Sequence, residues 1–132
     1  MKPTIWLGAA AAASLLAACT PEPQPSARND FLQYCASCHG DSGKGNGPAA
    51  AAMNPQPSDL TRIAARHQGH FPKLQMFERV NGYTMGATDS HMPAFGDLLD
   101  GPTISYDPGD GNPTPMPARM VALVEYLQTI QQ

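Results

Sequence analysis

Two cysteines three residues apart, followed at once by a histidine, constrain this chain more than any other feature. They stand in Cys35-Ala36-Ser37-Cys38-His39, with a glycine-rich run from Gly40 to Pro48 behind them. The 132 residues, a length that suits one domain, include 14 prolines and 12 glycines, and only 14% are charged. A small chain so rich in turns builds little core from side chains alone and needs a staple, a metal or a cofactor. The Cys-His run is where such a group would attach.

Several chemistries compete for it. A structural zinc site needs four ligands, usually from a second Cys or His pair, and His67 with His70 is the pair that could complete one. A redox dithiol needs a strand before it and a βαβ setting, and no strand pattern precedes Cys35. A bare structural disulfide would leave the adjacent histidine unexplained. Covalent haem needs two thiols on one helical turn to reach the vinyl groups on one edge of a porphyrin. It also needs a neighbouring imidazole to turn under the iron. The run meets these demands, so Cys35 and Cys38 read as attachment points and His39 as the proximal iron ligand of one c-type haem.

Residues 1–18 read as an export signal. Lys2 gives a short positive start, and Ile5 to Ala18 is an apolar run broken only by Gly8 and Ser14. The run is short for a membrane span and right for a signal peptide. It ends Leu16-Ala17-Ala18-Cys19, which resembles the bacterial lipobox. That resemblance implies a diacylglycerol on Cys19 and a mature chain held on the periplasmic side of a bacterial membrane. Residues 19–28, with "TPEPQPS" from Thr20, then form an extended Pro-rich tether. Residues 29–132 form the folded domain. With Cys19 lipidated and Cys35 and Cys38 acting together, none of the three cysteines is left over. A net charge of −3 without any basic block argues against nucleic acid as a partner, and the chain reads as a monomer.

Ser26 and Asn29 can each cap a first helix bearing Phe31, Leu32 and Tyr34. Ala49 to Met53 fits one helical turn before Asn54-Pro55. Ser58 to Thr61 opens another short helix, with Arg62, Arg66 and His67 on it. Pro72 suits the first turn of a helix that runs to about Asn81, with Gly82 as its stop. After Pro117, Met120, Leu123, Val124, Leu127 and Ile130 recur at three- and four-residue steps, the clearest helical pattern in the chain. No stretch alternates apolar and polar residues for long, so no substantial sheet is expected. The expected class is all-α, with three to five short helices and long loops around one haem. Tyr83–Asp97 and Gly101–Pro117 are two of those loops.

The segments "FLQYCASCHG" from Phe31, "GKGNGP" from Gly43, "SDLT" from Ser58 and "HMPAFG" from His91 resemble the class I cytochrome c family, in the form of a small bacterial monohaem lipoprotein. The likeness covers most of Asn29 to Ile130. It implies the cytochrome c fold, in which the N- and C-terminal helices cross. Phe31 and Tyr126 are the matching aromatics at that crossing. It also implies that the carbonyl of Pro48 accepts the N–H of the proximal imidazole, fixing the ring. Met92, in the family's MPxF position, is then the sixth iron ligand opposite His39.

Of seven methionines, Met85 is the rival, in the same loop as Met92. Met76 and Met120 fall on helix stripes and read as core; Met53 and Met116 lie beside prolines. His67, His70 and His91 remain alternatives, with an open site. Met/His ligation raises the reduction potential relative to two histidines and leaves substrate no easy access to the iron. The implied role is an electron carrier and not an enzyme. It would exchange single electrons with redox proteins, such as a respiratory complex, an oxidase or a dehydrogenase. A haem-based sensor or a peroxidase-like enzyme would need an open or labile sixth position. The chain departs from mitochondrial-type relatives in its few lysines, so a strong positive docking ring is not expected. It departs again in the long stretch Asp97 to Pro117. Asp107 and Asp110 there invite a calcium reading, but the EF-hand order is missing, and the stretch reads as a surface cover.

Overall fold

The computed structural model describes residues 26–84 and 92–132, with five α-helices and one antiparallel hairpin among them. The signal segment, Cys19 and the start of the tether lie outside the described residues, as do Met85 and His91. Helix α1 (Ala27–Tyr34) begins where Ser26 caps it, the Asn29 N–H donating to Ser26 Oγ at 3.2 Å. The helix therefore starts two residues before the boundary expected at 29. A single turn, α2 (Ala36–His39), follows directly. Asp59 caps the tight turn Leu60–Arg62, its carboxylate accepting from the Thr61 N–H, and the chain continues into α3 (Ile63–Arg66). Helix α4 (Lys73–Asn81) follows Pro72 and stops at Gly82, whose φ of 102° is the left-handed geometry glycine tolerates best. The last helix is α5 (Ala118–Thr129).

The expectation of an all-α chain without substantial sheet holds in part. The stretch read as a loop from Gly101 to Pro117 contains strands β1 (Thr103–Tyr106) and β2 (Thr114–Pro117), paired with Thr103 opposite Pro117 and Tyr106 opposite Thr114. The chain is mostly helical with a small two-stranded sheet. Prolines in a strand usually argue against one, but the register explains why two are tolerated here. The Ala118 N–H donates to the carbonyl of Pro102 at 2.9 Å. The alternation of an antiparallel ladder then puts Met116 and Thr114 at bonded positions and Pro115 and Pro117 at outward ones, where no N–H is needed. The hairpin is fastened to the helices through Tyr106. Its hydroxyl donates to Glu125 of α5, and its ring meets Phe77 of α4 edge-on at 5.6 Å. Lys73 lies over the same ring and donates to Glu125 at 2.7 Å.

The core lies between α1, α4 and α5. Phe31, Leu99, Met120, Leu123 and Val124 are almost wholly removed from water. Phe31 meets Tyr126 with ring centroids 5.5 Å apart, the helix crossing expected from the sequence. Beside it, Asp30 is buried and Arg119 grips both its carboxylate oxygens, at 2.8 and 2.6 Å. At the other end of α5, Gln131 accepts from the Ala64 N–H and donates to the Leu60 carbonyl, tying the C-terminus to the 60–64 turn.

Candidate functional site

Cys35 sits at the corner between α1 and α2. Its N–H donates to the Phe31 carbonyl at 2.9 Å, and its own carbonyl accepts from the His39 N–H at 2.9 Å. These bonds put Cys35, Cys38 and His39 on one continuous turn. The glycine-rich run then folds back along α2. The N–H groups of Gly45, Gly47 and Ala49 donate to the carbonyls of His39, Cys38 and Ser37 respectively. A short helix would otherwise leave those C-terminal carbonyls unpaired. Glycine is needed at position 47, where a Cβ would stand 2.4 Å from the Ser37 carbonyl oxygen and 2.5 Å from that of Ala36. The glycines thus form the backing of the Cys-x-x-Cys-His turn.

His39 is buried, and its Nδ1 lies 3.0 Å from the carbonyl oxygen of Ser58. A carbonyl can only accept, so Nδ1 carries the proton and Nε2 keeps its lone pair. Pro48, expected to supply this carbonyl, does not. It is exposed, in a turn that runs alongside α2, and the irregular stretch 56–59 passes over the glycine run to bring Ser58 to the ring instead. Burial pushes the His39 pKa down, against the opposing effect of the Ser58 carbonyl. The imidazole is therefore neutral at neutral pH, the form in which histidine binds metals.

Met92 is half-buried at the start of a well-held segment. The Phe95 N–H donates to the Val80 carbonyl at 2.8 Å, the Phe95 ring lies 6.4 Å from that of Tyr34, and Leu99 is fully buried. Arg119 adds a bond to the Leu98 carbonyl at 3.1 Å. Cys35, Cys38, His39 and Met92 all line one mainly apolar cavity of about 640 Å³. That volume falls in the usual range for small-molecule and cofactor sites. No disulfide joins the two cysteines. Burial, with help from Asp30 and Cys38, pushes the Cys35 thiol up to about 11, so it is protonated and not a ready thiolate.

Other residues chosen from sequence fall differently. His67 lines the cavity, with Nδ1 2.9 Å from the Ile63 carbonyl, whereas His70 is exposed and outside the lining. No group of three or more His, Cys, Asp or Glu poised for a metal ion occurs among the described residues. Asp107 accepts from the N–H groups of Gly109 and Gly111, which hold its carboxyl below the usual range. Met120 is core, as its stripe implied, but Met76 lines the cavity, as does Met53. Sequence periodicity alone could not separate a core-facing from a cavity-facing methionine on the same helix. Ser58 acts through its backbone, which leaves no signature in residue type. No family model, curated protein or solved structure matches this chain, so the chemistry of the cavity rests on its own residues.

Proposed function

We propose that this chain is an exported, lipid-anchored c-type cytochrome of the class I fold that carries single electrons between redox proteins. The observation that carries the reading is the convergence of Cys35, Cys38, His39 and Met92 on one apolar cavity. The residues fit a covalent haem. Cys35 and Cys38 would hold it through thioether bonds, and His39 through Nε2 and Met92 through its sulfur would supply the donors to its iron. The mainly apolar lining suits the flat body of a porphyrin. When bound, such a group supplies reversible one-electron oxidation and reduction at iron.

The protein's part would be to present His39 and Met92 to the group and to keep water and other ligands away from it. The Ser58 carbonyl fixes the His39 tautomer and ring orientation and raises its donor strength. Pro93 limits the freedom of the segment that carries Met92, and the anchoring of Phe95 to α4 steadies it. A thioether is a weak ligand, so this support matters more than it would for histidine.

The test is Met92→Ala in the haem-loaded protein. The variant should lose the sulfur-to-iron charge-transfer band, have a lower potential and bind carbon monoxide or cyanide rapidly. Met85→Ala should change none of these beyond a small shift in potential. The reverse pattern would transfer the ligand role to Met85. Rapid binding of cyanide to the unsubstituted protein would favour the sensor or the enzyme over the carrier. For the anchor, Cys19→Ser should release the protein from the membrane fraction. Retention there as an unprocessed chain would mean that residues 5–18 themselves hold it.

A further inference from the structure

The two edges of the hairpin differ. In its register, Ile104 with Met116 and Tyr106 with Thr114 are the pairs that exchange ladder bonds. On the outer edge of β2 the outward N–H groups would belong to residues 115 and 117, and both are proline. That edge has no donor to offer another strand, a common way of blunting an exposed edge. The matching residues on β1 are Thr103 and Ser105, and each keeps its N–H. Both are exposed, and among the described residues no backbone group outside the hairpin bonds to them. Between them Ile104 is 44% exposed, on the face that also carries Tyr106. No charged residue stands between Asp100 and Asp107. None of residues 102–106 lines the cavity, so this edge is separate from the site described above.

We propose that the β1 edge pairs antiparallel with the same edge of a second copy, joining the two-stranded hairpins of both into one sheet across a two-fold axis. The edge is self-complementary about Ile104. An axis through that residue brings Thr103 of one protomer opposite Ser105 of the other, and the reverse. Each then exchanges its outward N–H and carbonyl in a bonded pair. Ile104 meets its own copy in the closer, non-bonded kind of pair, so each exposed side chain covers the other. The charges suit the same register. Asp107 falls opposite Gly101 and Asp100 opposite Pro108, so no two carboxylates stand opposite each other across the seam. Moving the axis to Ser105 would bring Asp107 into the seam and part the two isoleucines. A closed contact of one patch with itself is the commonest form of homo-oligomer. A seam this short lies well below the ~1,200–2,000 Å² of stable complexes, so the two copies form a concentration-dependent equilibrium and not a permanent dimer. The inference revises the monomer expected from the sequence and is independent of the haem reading.

The test is sedimentation of the purified protein from micromolar to millimolar concentration, with amide resonances followed over the same range. The average mass should rise above that of one chain, and the amides of Thr103 and Ser105 should shift most. Ser105→Pro copies the device of β2. It removes an outward donor and spares the hairpin's own ladder, so the melting temperature should hold. Association should weaken about tenfold or more, since each copy loses a hydrogen bond. Ile104→Lys sets like charges at the axis and should also weaken it. Mixing Ile104→Lys with Ile104→Glu should restore association at low salt. Leu74→Ser, which removes an exposed apolar side chain on α4, should leave it unchanged. The mass of one chain at every concentration would overturn the proposal. So would association that survives Ser105→Pro in a folded variant, or that Leu74→Ser abolishes as fully. If Ser105→Pro does not fold, the lysine and glutamate variants carry the same comparison, and a mixture that associates no better than either alone overturns it. Should the native protein stay single while an uncharged extended peptide shifts the Thr103 and Ser105 amides, the edge serves a strand of another protein and the second copy is ruled out.

Discussion

Replacing Cys35 and Cys38 together by alanine should leave a chain that does not melt cooperatively and is degraded in the cell. The cavity occupies about 640 Å³, and its walls include Ile63, Met76 and Phe95, side chains that belong in contact with something apolar. The cavity is partly open, so without an occupant those walls face water, at about 25 cal/mol for each Å² of apolar surface left exposed. Domains of this size have only about 5–15 kcal/mol in total. Alanine at both positions would remove the covalent hold on the proposed haem while leaving the helix propensity of the turn intact. Circular dichroism against temperature and a dispersed proton spectrum are the measurements. A well-dispersed, cooperatively melting variant without haem would mean that the helices close a core unaided.

The sequence made the framework legible wherever the controlling signal was local. Pro72 and Gly82 bracket α4, Ser26 caps α1, and the apolar steps from Met120 to Leu127 define α5. The crossing of Phe31 and Tyr126 followed from the family likeness, and it stands in the structure. The hairpin was missed because each strand has only four residues and β2 reads Thr-Pro-Met-Pro, a pattern that argues against a strand. Its signal was the turn cluster from Asp107 to Asn112 between two short stretches of β-prone residues. The Asp30–Arg119 pair has no local signal at all, since 89 residues separate its members. At the site, residue types announced the thiols and the imidazole. The carbonyl of Ser58 and the cavity-facing side of Met76 depend on how distant segments pass over one another.

Arg119→Met should destabilise the protein by about 3–5 kcal/mol, the usual result of stranding one member of a buried ion pair. The Asp30 side chain is 1% exposed and would lose its charged partner, whereas the Arg119 side chain is 29% exposed and can still reach water. Asp30→Asn should therefore cost less than Arg119→Met, and the double variant should recover part of the larger loss. A melting temperature lower by roughly 4–8 °C for each kcal/mol is the expected reading. Two single variants of equal cost, adding without coupling, would mean that the pair contributes as ordinary surface charge. The same arginine also stacks on Tyr34 at 5.7 Å and holds the Leu98 carbonyl. Its loss should thus loosen the segment after Met92 as well as the helix crossing.

The long reach of the α1–α5 contact bears on the order in which the domain can assemble. Two partners of α1, Tyr126 for Phe31 and Arg119 for Asp30, lie on the last helix. Until that helix has been synthesised and delivered, α1 is an eight-residue helix with only Phe95 against Tyr34 for support, too short to persist in water unaided. The Cys35–His39 turn hangs from its end by the bond to Phe31 and shares its freedom. A chain that emerges N-terminus first therefore keeps its thiols and imidazole on a loose, approachable segment until α5 has emerged. It closes around them only when α1 and α5 meet, which makes α5 the latch of the whole domain.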